Sequence, residues 1–85
     1  MKEIRILGLL ITDRIKEAGR TQEVLSQFAF IIKSRLGFHE VTEEVCSRVG
    51  VIILQLSGQS SDFDRLENAL SEIGGLEVQR MSFGI

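Results

Sequence analysis

Ile32-Lys33-Ser34-Arg35-Leu36-Gly37-Phe38-His39 is the junction on which the reading of this fold turns. Upstream of it and into it, Val24, Leu25, Phe28, Ile31, Ile32 and Leu36 recur at three- and four-residue spacing, the period of one helix face. That period predicts an amphipathic helix running from Arg20, with Thr21 as its N-cap. Lys33 and Arg35 would complement its C-terminal dipole, and Gly37 would supply a left-handed stop. Asp13 to Gly19 is then a polar connection, and Phe38 opens a strand.

Working outward, Ile4 to Thr12 is almost continuously apolar on both alternating sets, Ile4/Ile6/Leu10 and Leu7/Leu9/Ile11. A strand with one wet face alternates apolar and polar, so this one reads as covered on both sides. Phe38 to Ser47 is more polar and reads as an exposed edge strand, with Val41 and Val45 on one face. Arg48-Val49-Gly50 reads as a turn into Val51-Ile52-Ile53-Leu54-Gln55-Leu56, a second central strand rich in β-branched residues. Ser57 to Ser61 is a loop, and Ser61 with Asp64 forms a helix-start signature. Phe63, Leu66, Leu70 and Ile73 make one helical stripe, Gly74-Gly75 ends it, and Leu76 to Phe83 is a last strand.

The order is strand, helix, strand, strand, helix, strand. The expected fold is α+β and ferredoxin-like, βαββαβ, a four-stranded antiparallel sheet with two helices on one face, as a single domain over residues 1–85. Right-handed crossovers put the first and third strands in the sheet centre. Those are the two strands that are apolar on both sides, so several large aliphatics must face the side without helices. Such a patch is rare on a stable monomer. Homodimers or homotetramers are therefore expected, unless Phe83-Gly84-Ile85 folds back to cover the patch.

Composition bounds the function. The net charge is −2, from 10 Lys+Arg against 12 Asp+Glu, with no basic run, no Tyr and no Trp. Direct nucleic-acid binding needs a basic excess or stacked aromatics and is not expected. Cys46 is the lone cysteine, no secretory signal opens the chain, and no apolar run approaches the roughly 20 residues of a membrane span. A cytoplasmic location is the reading.

Several segments carry a family resemblance. Ile11-Thr12-Asp13-Arg14, Leu25 through Gly37 with its Arg-x-Gly, Leu54-Gln55-Leu56, and Gly74-Gly75-Leu76-Glu77-Val78 occur in the order and spacing of the small regulators of iron-only hydrogenase systems. The chain resembles that family, which is related to ACT domains and to the metal-sensing domain of nickel-responsive repressors. The resemblance implies a non-enzymatic regulatory or sensor domain. In ACT-like domains the first strand-to-helix loop contacts small effectors, often amino acids. That places the candidate ligand site at Asp13, Arg14 and Gly19, with Arg35 at the family's Arg position. The nickel-sensor relation makes His39 and Cys46 the metal candidates. The effector itself is left unidentified. The chain departs from the family where His39 stands in place of a proline, and the segment from His39 to Val49 is longer and more acidic.

The residues themselves carry competing readings. His39 and Cys46 are one nitrogen and one sulfur donor, short of the four that a tight tetrahedral or square-planar site uses. They are an odd number apart, which on one regular strand would point them to opposite faces. Carboxylates near Cys46 raise a thiol pKa, so an activated nucleophile is not expected. Glu43 and Glu44 point apart in a strand and do not form an acid–base pair. Gly74-Gly75 is a helix stop, not a phosphate loop.

Overall fold

The computed structural model describes residues 2–41 and 46–85, and within them the side chains of residues 14, 15, 38–41 and 46–48 lie outside the description. The elements are β1 (Glu3–Ile11), α1 (Arg14–Gln27), a single 3-10 turn (Ala29–Ile31), β2 (Ile32–Val41), β3 (Cys46–Leu56), α2 (Ser60–Ser71) and β4 (Leu76–Gly84). The strands form one antiparallel sheet in the order β2-β3-β1-β4. β1 and β3 are central, as their two-sided apolarity requires, and the fold is the ferredoxin-like one.

The first helix differs from the sequence expectation. Asp13 is its N-cap: the carboxylate accepts the Lys16 N–H at 3.3 Å, and the Asp13 carbonyl accepts from Glu17 at 2.9 Å. The helical period is real, but it extends backward from Val24, not forward. Thr21, Leu25 and Phe28 are buried on one stripe, so Thr21 is a mid-helix residue. At Phe28 the N–H is shared between the Val24 and Leu25 carbonyls, at 3.2 and 3.3 Å, and the chain tightens into the 3-10 turn.

From Ile32 onward the chain is extended. Ile32 pairs Leu56 and packs against the core, and after a slip in register Ser34 and Leu36 alternate with Arg35 and Gly37, a period of two that pairing with β3 satisfies. Lys33 and Arg35 are therefore strand residues, not helix-end cations. Gly37 lies in β2 and adopts no positive φ; among the described residues only Gly58 and Gly75 do. Arg48-Val49-Gly50, expected as a turn, lies within β3, with Gly50 opposite both Ile11 and His39.

The second half follows its pattern more closely. α2 begins two residues before its expected position relative to the cap at Ser61: Gln59 is the N-cap, its carbonyl accepting from Asp62 and Phe63 at 3.0 and 3.2 Å. Phe63, Leu66, Leu70 and Ile73 are buried as the stripe predicts. Gly75 has φ +76°, where an added Cβ would stand 3.1 Å from Thr12 Oγ1. Its carbonyl accepts both the Thr12 N–H (2.9 Å) and the Thr12 hydroxyl (3.0 Å), which locks the turn into β4.

The core lies between the helices and one face of the sheet. Leu7, Leu9, Leu54 and Leu56 meet Leu25, Phe28, Phe63, Leu66 and Leu70 there. The opposite face carries no helix.

Candidate functional site

Three features of the molecule bear on function: a buried ion cluster, two recesses, and the face without helices. The ion cluster starts from Arg5, which shares the parity of Leu7 and Leu9 and is only 5% exposed. Its guanidinium lies over the Phe63 ring, 5.4 Å from the centroid. Nε and Nη2 clasp the Glu3 carboxylate at 2.7 and 3.1 Å, while Nη1 donates to Asp64 at 2.7 Å and Glu67 at 3.2 Å. The Ser60 and Ser82 hydroxyls also donate to Glu3, at 2.5 and 2.6 Å. Arg5's fork and those two hydroxyls hold the Glu3 carboxyl down to about 2, and the carboxylates hold Arg5 protonated. Both oxygens of Glu3 are engaged, so this carboxylate is not a free base. The cluster is a clamp joining β1, β4 and α2. An arginine at a core parity of an apolar strand is a signal that the sequence carried and the hydrophobic pattern passed over.

Beside the clamp, at the end of the sheet, lies an open recess of about 740 Å³ with Lys2, Lys33, Gln55, Ser57, Gln59 and Ser60 on its walls. A second, shallow recess of about 210 Å³ lies between α1 and β2, bounded by Gln22, Leu25, Ser26, Ala29, Ile32 and Arg35. Arg35 donates to Gln22 Oε1 there at 2.6 Å.

The sequence-derived candidates are spread along α1. Asp13 caps its start, and Gly19 is exposed in its middle with nothing within 4 Å of an added Cβ. Arg35 meets it near the far end, through Gln22. Asp13 and Gln22 are nine residues apart, about 13 Å along a helix, so Asp13 and Arg35 do not share one small pocket within a protomer. Arg14 is the first residue of α1 and its side chain lies outside the description. His39 and Cys46 also have side chains outside it. Their backbones occupy neighbouring strands: His39 opposes Gly50, and Cys46 opposes Val41, with a slip in register between His39 and Val41. The parity argument from a single strand therefore does not apply to them.

The face without helices is apolar. By register, Ile4, Ile6 and Leu10 of β1 share it with Val51 and Ile53 of β3, Leu36 of β2, and Met81 and Phe83 of β4. The β1 and β3 members are half-buried, whereas Leu36, Met81 and Phe83 are 58%, 57% and 50% exposed. Ile85 does not fold over this face. It continues the β1–β4 ladder, exchanging backbone bonds with Lys2 at 3.2 and 2.9 Å. Among the described residues, no helix is long and apolar enough to cross a membrane.

Comparison with known proteins adds the following. The chain is similar in structure to an uncharacterized protein from Thermotoga maritima, with a TM-score of 0.82 and 25% identity over 99% of this chain and 100% of that one. CPII, a nitrogen regulatory PII-like protein from Thiomonas intermedia bound to ADP, AMP and bicarbonate, matches with a TM-score of 0.57 and 12% identity, covering 98% of this chain and 94% of its own. SnoaB, a cofactor-independent oxygenase from Streptomyces nogalater, matches with a TM-score of 0.59 and 9% identity, covering 100% and 94%. The last two likenesses show the fold alone, and that fold carries regulation in one and catalysis in the other. No family model matches the chain, and no curated protein matches it.

Proposed function

We propose that this chain is a non-enzymatic regulatory domain that self-associates and binds a small effector. The observation that carries the reading is the apolar sheet face, which neither helices nor the Phe83-Gly84-Ile85 segment covers. A contiguous patch of this kind marks an interaction site, and a second copy of the chain is its most economical cover. The fold shared with the PII-like regulator supports the regulatory side of the reading. The resemblance to regulators of iron-only hydrogenase systems names the pathway class it would serve.

The effector would meet α1, through Asp13 and Gly19 along the helix and Arg35 beside it, with Arg14 at its first turn. Because Asp13 and Arg35 lie far apart on one protomer, and both lie on the helix side of the sheet, away from the bare face, a small ligand would meet one end of α1 or the other. Thermal-shift titration with amino acids and with ADP tests this. A ligand at a hundredfold excess over its Kd stabilises the folded state by about 2.7 kcal/mol, which moves the melting point of a domain this size by roughly ten degrees or more. Asp13→Ala or Arg35→Ala, whichever marks the ligand's end of the helix, should reduce that shift. A ligand whose shift ignores both substitutions binds elsewhere and overturns this site. Turnover of a substrate that survives re-purification and is lost with His39→Ala or Cys46→Ala would overturn the non-enzymatic reading.

One observation favours a second reading, a metal-responsive domain. Pairing of β2 with β3 brings the backbones of His39 and Cys46 to neighbouring strands, closer than one strand would allow. If Ni(II) raises the melting point by ten degrees and His39→Ala abolishes the rise, this reading replaces the first.

A further inference from the structure

The sheet has two edges, and they are built differently. β2 slips register twice, between Ile32 and Ser34 and between His39 and Val41, and it carries Lys33 and Arg35. Bulges and cations are the devices that keep an edge from pairing. β4 pairs β1 without a slip from Gly84 opposite Glu3 to Leu76 opposite Ile11, and the chain has no proline to interrupt it.

The two ends of that ladder show which backbone groups of β4 are engaged. Lys2 and Ile85 exchange both bonds, and Thr12 donates to the Gly75 carbonyl at 2.9 Å. Opposed residues of an antiparallel pair alternate between bonded and non-bonded. Glu77, Gln79, Met81 and Phe83 therefore turn their N–H and C=O groups toward β1. Leu76, Val78, Arg80, Ser82 and Gly84 turn theirs outward, where no strand meets them among the described residues.

We propose that this edge pairs antiparallel with β4 of a second copy, about a two-fold axis at Met81; the inference rests on the self-association proposed above and adds an edge contact to the face contact. Side chains select the register. An axis at Arg80 would set two guanidiniums face to face. An axis at Gln79 would oppose Met81 to Glu77, and one at Ser82 would leave Val78 without a bonded partner. The axis at Met81 pairs Arg80 with Ser82 of the second copy, and Val78 with its Gly84. Because Ser82 donates to Glu3 at 2.6 Å, Arg80 then faces a carboxylate of the other copy. Its present ion pair, with Glu67, is long at 3.8 Å and half exposed, so it is free to adjust.

On the face without helices, the same register opposes Met81 to Met81 and Gln79 to Phe83. The exposed apolar residues of two copies become one surface across eight strands. A second copy is the one partner that brings an edge of equal length with this side-chain order, which is the requirement of an isologous contact.

Disulfide trapping tests the register. In a Cys46→Ser background, Met81→Cys would place its Cβ about 4.5–5.5 Å from that of the copy, close to disulfide geometry. Gln79→Cys would stand roughly 13 Å from its own copy. Mild oxidation at micromolar concentration should link most Met81→Cys chains as dimers and leave Gln79→Cys unlinked. Arg80→Pro removes an outward N–H and the long Glu67 ion pair but no bond to β1, so it should keep the circular-dichroism spectrum and lose the pairing. If Met81→Cys stays unlinked while the native chain self-associates, the edge assignment is overturned and self-association stands on another surface. If the native chain is monomeric, both fall. Should Arg80→Pro misfold, the contrast between positions 81 and 79 still decides.

Discussion

The two faces of β1 and β3 are nearly equal in sequence and opposite in structure. Leu7, Leu9, Leu54 and Leu56 are at most 1% exposed beneath the helices. Ile4, Ile6, Leu10, Val51 and Ile53 lie on the other side, half-buried and without a covering layer. Aliphatic content therefore reports where a protein has an interface without saying which interface folds the protomer. The covered face belongs to stability, and the bare face belongs to association.

The largest effect expected from this division is at Leu54. Leu54→Ala should cost about 2–5 kcal/mol, by lost burial and the cavity left behind. Domains hold roughly 0.05–0.15 kcal/mol per residue, so thermal melts should show a fall of ten degrees or more. Ile53→Ala, one residue along, should lower the association constant and change the melt of a dilute protomer little. Equal losses at both positions would break the comparison.

A second prediction concerns acid. Glu3 titrates near 4.5 when unfolded and about 2 when folded. The folded state therefore releases this proton more readily, and its contribution is present above pH 4.5 and fades as pH falls toward 2. Urea melts at pH 6, 4 and 2.5 should show a decline that Glu3→Gln flattens. An unchanged decline in the variant would mean that the clamp on the covered face does not anchor β4 and α2 as described.

The smallest effect lies at Thr21, which is 1% exposed and whose hydroxyl meets no hydrogen-bond partner among the described residues. An unmatched buried hydroxyl costs about 1–3 kcal/mol. Thr21→Val keeps the shape and removes that cost, so it should raise the melting point by several degrees. A fall would show that the hydroxyl has a bond, such as one to a buried water, that the geometry does not display.

The second half of the fold was more legible in the sequence than the first, for a physical reason. Phe63, Leu66, Leu70 and Ile73 fit only the helical period, and Gly74-Gly75 marks its end. In the first half two periods overlap. Ile31, Ile32 and Leu36 continue the helical stripe of Val24 and Phe28, while Ser34 and Leu36 alternate with Arg35 and Gly37 as a strand, Ile32 being set off by a slip in register. β3 decides between them, because without β2 its own outer edge would be unpaired, and that is tertiary information. The same error moved the expected helix start past Asp13, whose capping role was masked by the polar run behind it. Arg5 was visible as a charge at a core parity, but its partners Asp64 and Glu67 lie some sixty residues away and could not be inferred from spacing. The candidate residues Asp13, Gly19 and Arg35 came from resemblance, and the structure separates them along α1.

We expect copies of the chain to cover the bare face, its free edge, or both. Light scattering on the native protein, eluted at micromolar concentration from a sizing column, tests it most directly. The expected mass is twice the 9.5 kDa chain where one of these surfaces pairs and four times where both do. A species of 9.5 kDa that persists across concentrations would contradict it.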